Sequence, residues 1–334
     1  MDSDPATETQ RHSSATLGLG PDDAGLAQAV EILRDGGLVA FPTETVYGLG
    51  ADARNGEAVA RIYEAKGRPS FNPLIVHVAS LEAAGEIAEL GGAAKAVARV
   101  LWPGPLTLVL PVKEGSGLSS LVTAGLASVA VRMPAGRVAR RLLEAFGGPI
   151  AAPSANPSGR ISPTTATHVF AGLSGKIDAV IDGGTCRVGL ESTIIDLNGT
   201  PRLLRAGGVP VEEIEALLRL PLVAPLPGEV PTAPGQLASH YAPKGHMRLE
   251  AESAEPGETH LGFGPVAGDL TLSATGNLTE AAAQLFDCLH RLDAMGAEQI
   301  AVAPVPDEGL GRAINDRLRR AAAPREEEAV SAAR

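Results

Sequence analysis

The chain has 334 residues, of which 44% are hydrophobic, 20% charged and only 3% aromatic, and it carries a net charge of -11. That length leaves room for two domains, while the scarce aromatics weigh against base-stacking platforms and the acidic total against broad, non-specific nucleic-acid binding. Cys186 and Cys288 lie too far apart to form a CxxC pair, so neither a disulfide framework nor a zinc site is expected.

Residues 1–22 are rich in Ser, Thr, Asp and Glu and are expected to form a disordered tail. The tail lacks the charged-then-apolar pattern of a signal peptide, and no apolar run approaches the ~20 residues that span a bilayer. A cytoplasmic protein without membrane contact is therefore expected. Asp23 is placed to cap a helix whose Leu26, Val30 and Leu33 share a face, ended by Gly36 and Gly37. Leu38 to Phe41 reads as a short buried strand stopped by Pro42. A helix near 58–65 follows, then strands at 74–78, 107–111, 129–132 and 179–181. This alternation predicts an α/β domain with a mixed sheet over residues 23–210.

A short helix with Ile214, Leu217 and Leu218 on its apolar face comes next, and repeated prolines stiffen the segment from Leu220 to Gly235. Residues 211–245 are thus read as a Pro-rich linker or lid. Alternation resumes over 246–323, with strands at 261–263 and 300–303, a helical stripe of Leu285, Leu289 and Leu292, and a final helix holding Ile314 and Leu318. A small α/β unit with parallel strands is expected there, followed by a charged tail at 324–334.

The densest chemistry lies in Lys66-Gly67-Arg68-Pro69-Ser70-Phe71-Asn72-Pro73-Leu74-Ile75-Val76-His77. A lysine and an arginine two apart in extended chain point the same way. Pro69 and Pro73 stiffen the segment, so the pair forms a ready phosphate clamp. The plainer alternative is a solvated basic loop. His77 is the one histidine inside this motif, and a lone strand histidine is more often structural than catalytic.

Phe41 to Gly50 offers hydroxyls, a carboxylate and a phenol at a strand end, where open α/β sheets hold ligands. Gly48 and Gly50 would let the backbone approach a ligand; equally, the segment reads as a turn whose threonines satisfy local backbone groups. Ala151 to Arg160 forms a rigid loop that presents Ser154 and Asn156 together, a hydroxyl and an amide suited to phosphate, ribose or a base edge. Ser162 reads either as another such contact or as the cap of a helix starting near Thr164. Arg132 and Arg205, at strand ends, suit a carboxylate and an oxyanion, with a surface ion pair as the commoner use of such arginines. No GxSxG elbow, Cys/His pairing or Walker-type loop is present.

The segments FPTETVYGLGAD, KGRPSFNPLIVHV, LWPGPLTLVL, VAVRMP, APSANPSGRISPT, GLESTIIDL and LLRAGG occur in one order. In these segments, across about residues 23 to 210, the chain resembles the YrdC-type threonylcarbamoyl-AMP synthases; its linker and C-terminal unit resemble the longer, two-domain form. The resemblance implies a YrdC-like twisted mixed sheet with flanking helices and a concave cleft, followed by a small Rossmann-like α/β domain. It also implies a reaction, in which L-threonine, bicarbonate or CO2, and ATP yield threonylcarbamoyl-AMP and pyrophosphate. The product would feed a downstream threonylcarbamoyl transferase system that modifies tRNA. Binding of an RNA by the same fold, or carbamoyl transfer, is the alternative.

Carried over from that family, Lys66 and Arg68 match its catalytic phosphate-binding pair, and Asn72, Ser154, Asn156, Ser162 and Arg205 match further ATP contacts. Ser128 would add backbone contacts and Tyr241 a grip on the nucleotide. Thr45, His77, Arg132, Ala152 and Ser192 match positions facing L-threonine. Mg2+ would come with ATP and need no all-protein cage. One departure is visible: the family's basic, aromatic-containing segment after the linker reads here Ala233-Pro234-Gly235-Gln236-Leu237-Ala238-Ser239-His240-Tyr241-Ala242-Pro243, without its basic residues and first tyrosine. A lid that closes with less phosphate contact is expected.

Overall fold

Short segments that are buried throughout set the architecture, because a strand buried at every position must lie inside a sheet covered on both faces. Val39 to Pro42 is buried at each residue, and so is Ile75 to His77. The computed structural model describes residues 15–69, 71–224 and 240–324. The first unit begins with β1 (Leu17–Leu19), α1 (Asp23–Arg34), β2 (Val39–Pro42), β3 (Tyr47–Asp52), α2 (Gly56–Lys66) and β4 (Ile75–His77). It continues through α3 (Leu81–Ile87), α4 (Gly92–Leu101), β5 (Leu106–Pro111), α5 (Ser120–Thr123), β6 (Ser128–Arg132) and α6 (Arg137–Phe146). Its last elements are β7 (Ile150–Ala151), α7 (Ala166–Leu173), β8 (Ala179–Ile181), β9 (Thr193–Asp196), β10 (Arg202–Arg205) and α8 (Val211–Leu218). The second unit comprises β11 (His246–Arg248), β12 (Thr259–Gly262), β13 (Leu270–Thr271), α9 (Leu278–Ala294), β14 (Gln299–Val302) and α10 (Leu310–Ala322).

The large sheet has ten strands in the order β1-β8-β2-β3-β7-β4-β6-β5-β9-β10, with parallel and antiparallel pairs mixed as expected. Alternate residues of β2 enter opposite cores, as strand geometry requires. Val39 and Phe41 pack with Leu26, Leu33, Leu142 and Phe146 of α1 and α6. Leu38 and Ala40 join Ile62, Val97 and Val169 from the helices of the other core. The second unit is a four-stranded sheet, β11-β14-β12-β13, parallel at every pairing.

Several expectations shift. The predicted disordered tail ends sooner, since Leu17–Leu19 pairs in parallel with Ala179–Ile181 at the sheet edge; residues 1–14 lie outside the described residues. Asp22, not Asp23, caps α1, its Oδ1 accepting from Gly25 N at 2.9 Å. The linker does not begin at residue 211, because Val211 and Ile214 of α8 are buried in the first unit and Leu203 N donates to Val223 O at 2.9 Å. The lid residues 225–239 lie outside the described residues. Gly50 makes room for protein rather than for a ligand: a Cβ there would meet Phe41 Cε1 at 2.8 Å.

The two units share a core. Val46, Ile161 and Leu190 of the first are buried together with Tyr241, Leu285 and Phe286 of the second. Gly189 sits at the contact with φ +74, where a Cβ would lie 2.4 Å from Ala282 O on α9. Only glycine fits that approach.

Candidate functional site

Sheet register assembles the site. His77 pairs with Arg132 across the parallel strands β4 and β6, so both side chains stand at the same sheet end. Leu106 pairs with Thr193 across β5 and β9, which brings Ser192 there as well. A narrow cleft opens at this end of the sheet. Thr45, Arg68, His77, Arg132, Ala152, Ser154, Ser192, Arg205 and Tyr241 all line it.

One pole of the cleft is cationic. Lys66 closes α2 and is buried, with Nζ donating to Ser154 O at 2.6 Å and also to Asn156 O. Arg68 follows the left-handed cap Gly67 and donates to Asn72 O at 3.2 Å and Pro73 O at 3.0 Å. Neither cation meets a carboxylate among the described residues. Burial, reinforced by Arg68, pushes the Lys66 ammonium well below its ordinary pKa. Burial pushes Arg68 down to about 10, and nearby Arg205 adds to the effect. Two crowded cations that disfavour their own charge are a site waiting for an anion. Beside them, Asn72 Oδ1 and Asn156 Oδ1 are buried without a hydrogen-bond partner among the described residues. Arg205 donates to Ser192 O at 2.9 Å and to Ser192 Oγ at 3.2 Å.

The other pole is built around a buried ion pair that the sequence did not reveal. Glu44 Oε1 lies 2.6 Å from Arg132 Nη2, and its Oε2 accepts from Ala135 N and Gly136 N at 3.0 Å each. Arg132 also donates to Thr45 Oγ1 at 2.9 Å and to Gly104 O at 3.2 Å. The guanidinium is therefore fixed in the wall rather than engaged in a surface ion pair. Burial alone would raise the Glu44 carboxyl, but the charge and hydrogen bond of Arg132 hold it below its usual value. Burial and the Arg132 charge push His77 down to about 3, which leaves a neutral imidazole. Its Nδ1 is buried without a partner among the described residues.

Ser162 is neither cap nor cleft wall. Thr165 caps α7, accepting from His168 N at 3.3 Å, while Ser162 Oγ donates to Glu191 Oε1 at 2.6 Å. Glu191 lines the cleft and pairs with Arg317 of α10, whose Nε lies 3.0 Å from Oε2. Burial would raise the Glu191 carboxyl, yet Arg317, Arg205 and Ser162 hold it down to about 2. Ser128 stands apart, at the far end of β6 opposite Pro111. His240 joins Tyr241 in the cleft wall, their rings 4.0 Å apart.

Glu191, His240 and Arg317 are thus site residues that the sequence did not single out, while the carboxylate of the Phe41–Gly50 segment, Glu44, is spent on Arg132. A signal existed for Arg317, because it shares a helical face with Ile314, Leu318 and Ala321 and so carries a charge into an apolar stripe. Among the described residues no cluster of three or more His, Cys, Asp or Glu could hold a metal, and no helix is long and apolar enough to cross a membrane.

Residues 31–207 match the protein family described as "Telomere recombination", and residues 209–323 match "Threonylcarbamoyl-AMP synthase, C-terminal domain". A threonylcarbamoyl-AMP synthase of Pyrococcus abyssi is 44% identical over 316 residues, covering 88% of this chain and 92% of that protein. One from Bacillus subtilis is 41% identical over 336 aligned positions, covering 91% and 94%. The crystal structure of P. abyssi Sua5 complexed with L-threonine superposes with a TM-score of 0.85 at 41% identity, covering 92% of this chain and 98% of that one.

Proposed function

The chain belongs to the threonylcarbamoyl-AMP synthase family, and on that premise we propose that its cleft joins L-threonine, carbon dioxide drawn from bicarbonate, and ATP. The products are threonylcarbamoyl-AMP and pyrophosphate, a nucleotidyltransferase reaction. The observation that carries this reading is the pairing of two unlike poles in one cleft: Arg68, backed by the buried Lys66 and with no carboxylate partner among the described residues, and Arg132 held rigid beside Thr45 and a neutral His77.

The threonine carboxylate suits the guanidinium N–H groups of Arg132, with Thr45, Ser192 and the Ala152 backbone around it. A neutral His77 accepts or donates a hydrogen bond without repelling the ammonium group. The deprotonated amine adds to carbon dioxide and gives up its nitrogen proton to the hydroxide left by bicarbonate, forming water, and a carbamate oxygen then attacks the α-phosphorus as the bond to pyrophosphate breaks. Lys66, Arg68 and Arg205 surround the phosphates and offset the charge that gathers on the leaving group. Holding carbamate and phosphorus in line supplies much of the remaining acceleration. No group of the protein is asked to form a covalent intermediate.

Asn72 Oδ1 and Asn156 Oδ1, buried without a partner among the described residues, would suit the waters of a Mg2+ ion that arrives on ATP, whereas Glu44 and Glu191 are already tied to arginines. Bound there, the ion would neutralise phosphate charge. The product passes in the cytoplasm to a threonylcarbamoyl transferase acting on tRNA. Pyrophosphate release from ATP and bicarbonate, measured with and without L-threonine, tests the reading. Threonine-dependent release that disappears in Arg68→Ala is expected; folded protein with no such release would overturn it.

A further inference from the structure

We propose that Arg317, from the last helix of the second unit, is a positioning residue of the cleft: it engages Glu191 so that this carboxylate neither repels the ATP phosphates nor draws Arg205 away from them. The proposal rests on the synthase reading above.

Glu191 stands in the cleft wall with Arg68 and Arg205. A bare carboxylate at that place would repel a polyphosphate and draw Arg205 toward itself. The structure answers this from the other unit. Arg317 is 0% exposed, lies 3.0 Å from Glu191 Oε2, and donates from Nη1 to Ala206 O and Asp316 Oδ2, both at 2.8 Å. Ala206 directly follows Arg205, so one guanidinium holds both the carboxylate and the turn that aims the neighbouring arginine. Its carbon also stands 5.3 Å from the centroid of the Tyr241 ring, which lines the same cleft.

Stability does not explain this arrangement. Well-packed apolar residues in place of a buried ion pair are often neutral or stabilising. Here, moreover, Nη2 of Arg317 is buried without a hydrogen-bond partner among the described residues. An arginine driven that deep across a domain contact fits a charge-balancing task. The second unit then completes the electrostatics of a cleft whose charged walls, Arg68, Arg132, Glu191 and Arg205, come from the first.

The test is calorimetric binding of ATP to the full-length protein and to Arg317→Met, Arg317→Lys and the double variant Glu191→Gln/Arg317→Met. Arg317→Met should bind ATP about tenfold or more weakly, with Arg317→Lys between it and the wild type. The double variant should return to within about threefold of the wild type, because a neutral amide needs no counter-ion. A role confined to holding the units together predicts the opposite, a double variant at least as impaired as the single one. That result, or full ATP affinity in Arg317→Met, overturns the proposal. If Arg317→Met does not fold, the comparison of Arg317→Lys and the double variant with the wild type still decides. Wild type that binds ATP and shows this charge rescue, yet releases no pyrophosphate with threonine, would sink the synthase reading alone; folded wild type that binds no ATP would sink both.

Discussion

Glu44 braces Arg132 from within the wall: the two are buried at 2.6 Å, and the second carboxylate oxygen is itself held by two backbone N–H groups. The brace comes from a residue 88 positions away in sequence and fixes the guanidinium before any ligand arrives. An arginine positioned in this way keeps part of its N–H fork for a second carboxylate.

Glu44→Gln should therefore damage threonine use more than ATP use. The KM for threonine is expected to rise about tenfold or more, and the fold to lose up to about 3–5 kcal/mol because a buried cation loses its partner. Steady-state kinetics for each substrate together with urea unfolding check this. An equal rise in both KM values would argue for general loosening instead.

Lys66 should take up a proton when ATP binds. Burial, with Arg68 close by, depresses the ammonium in the ligand-free cleft, and phosphate charge favours the protonated form. The pKa accordingly rises on binding, and between its two values the protein gains a proton. Titration of ATP at a series of pH values below the ordinary lysine range, in buffers of different ionisation heat, should show net uptake that is absent in Lys66→Met. Identical uptake in that variant would assign the proton elsewhere.

The contact between the units should be acid-sensitive at His168. Its ring stacks on His290 of α9 with centroids 3.8 Å apart, Asp287 lies 3.8 Å away, and burial together with the His290 charge brings it from 6.5 to about 4. Between those values the unfolded chain binds the extra proton, so stability is fully present above 6.5 and is lost as pH falls toward 4. The slope contributed is at most about 1.4 kcal/mol per pH unit. Denaturation midpoints of wild type and His168→Gln, compared from pH 7 to pH 5, should diverge, the variant falling less steeply; parallel curves would dismiss the effect.

Gly189→Ala should loosen docking of the second unit. The added methyl would press on Ala282 O and sit on a backbone with φ +74. A loss of roughly 1–3 kcal/mol, from overpacking and the left-handed backbone, is expected. Faster proteolysis between the units, with the first unit left intact, is the readout; wild-type resistance would mean that the contact absorbs the methyl.

The α/β order, the mixed and parallel sheets, the cationic KGRPSFNPLIVHV segment and the family resemblance are all legible along the chain, because each is written in local periodicity, in prolines and in motifs. Which charges meet is settled by folding. Glu44 with Arg132 and Glu191 with Arg317 join residues 88 and 126 positions apart, and a charge pair leaves no periodic trace in either segment. The same holds for Leu17–Leu19, which is a strand only because the edge of β8 is there to receive it. Ser162 looked like a cap by position and became a carboxylate ligand once folding brought Glu191 to it. Burial removes water from these groups, so each must find its partner in space rather than in sequence.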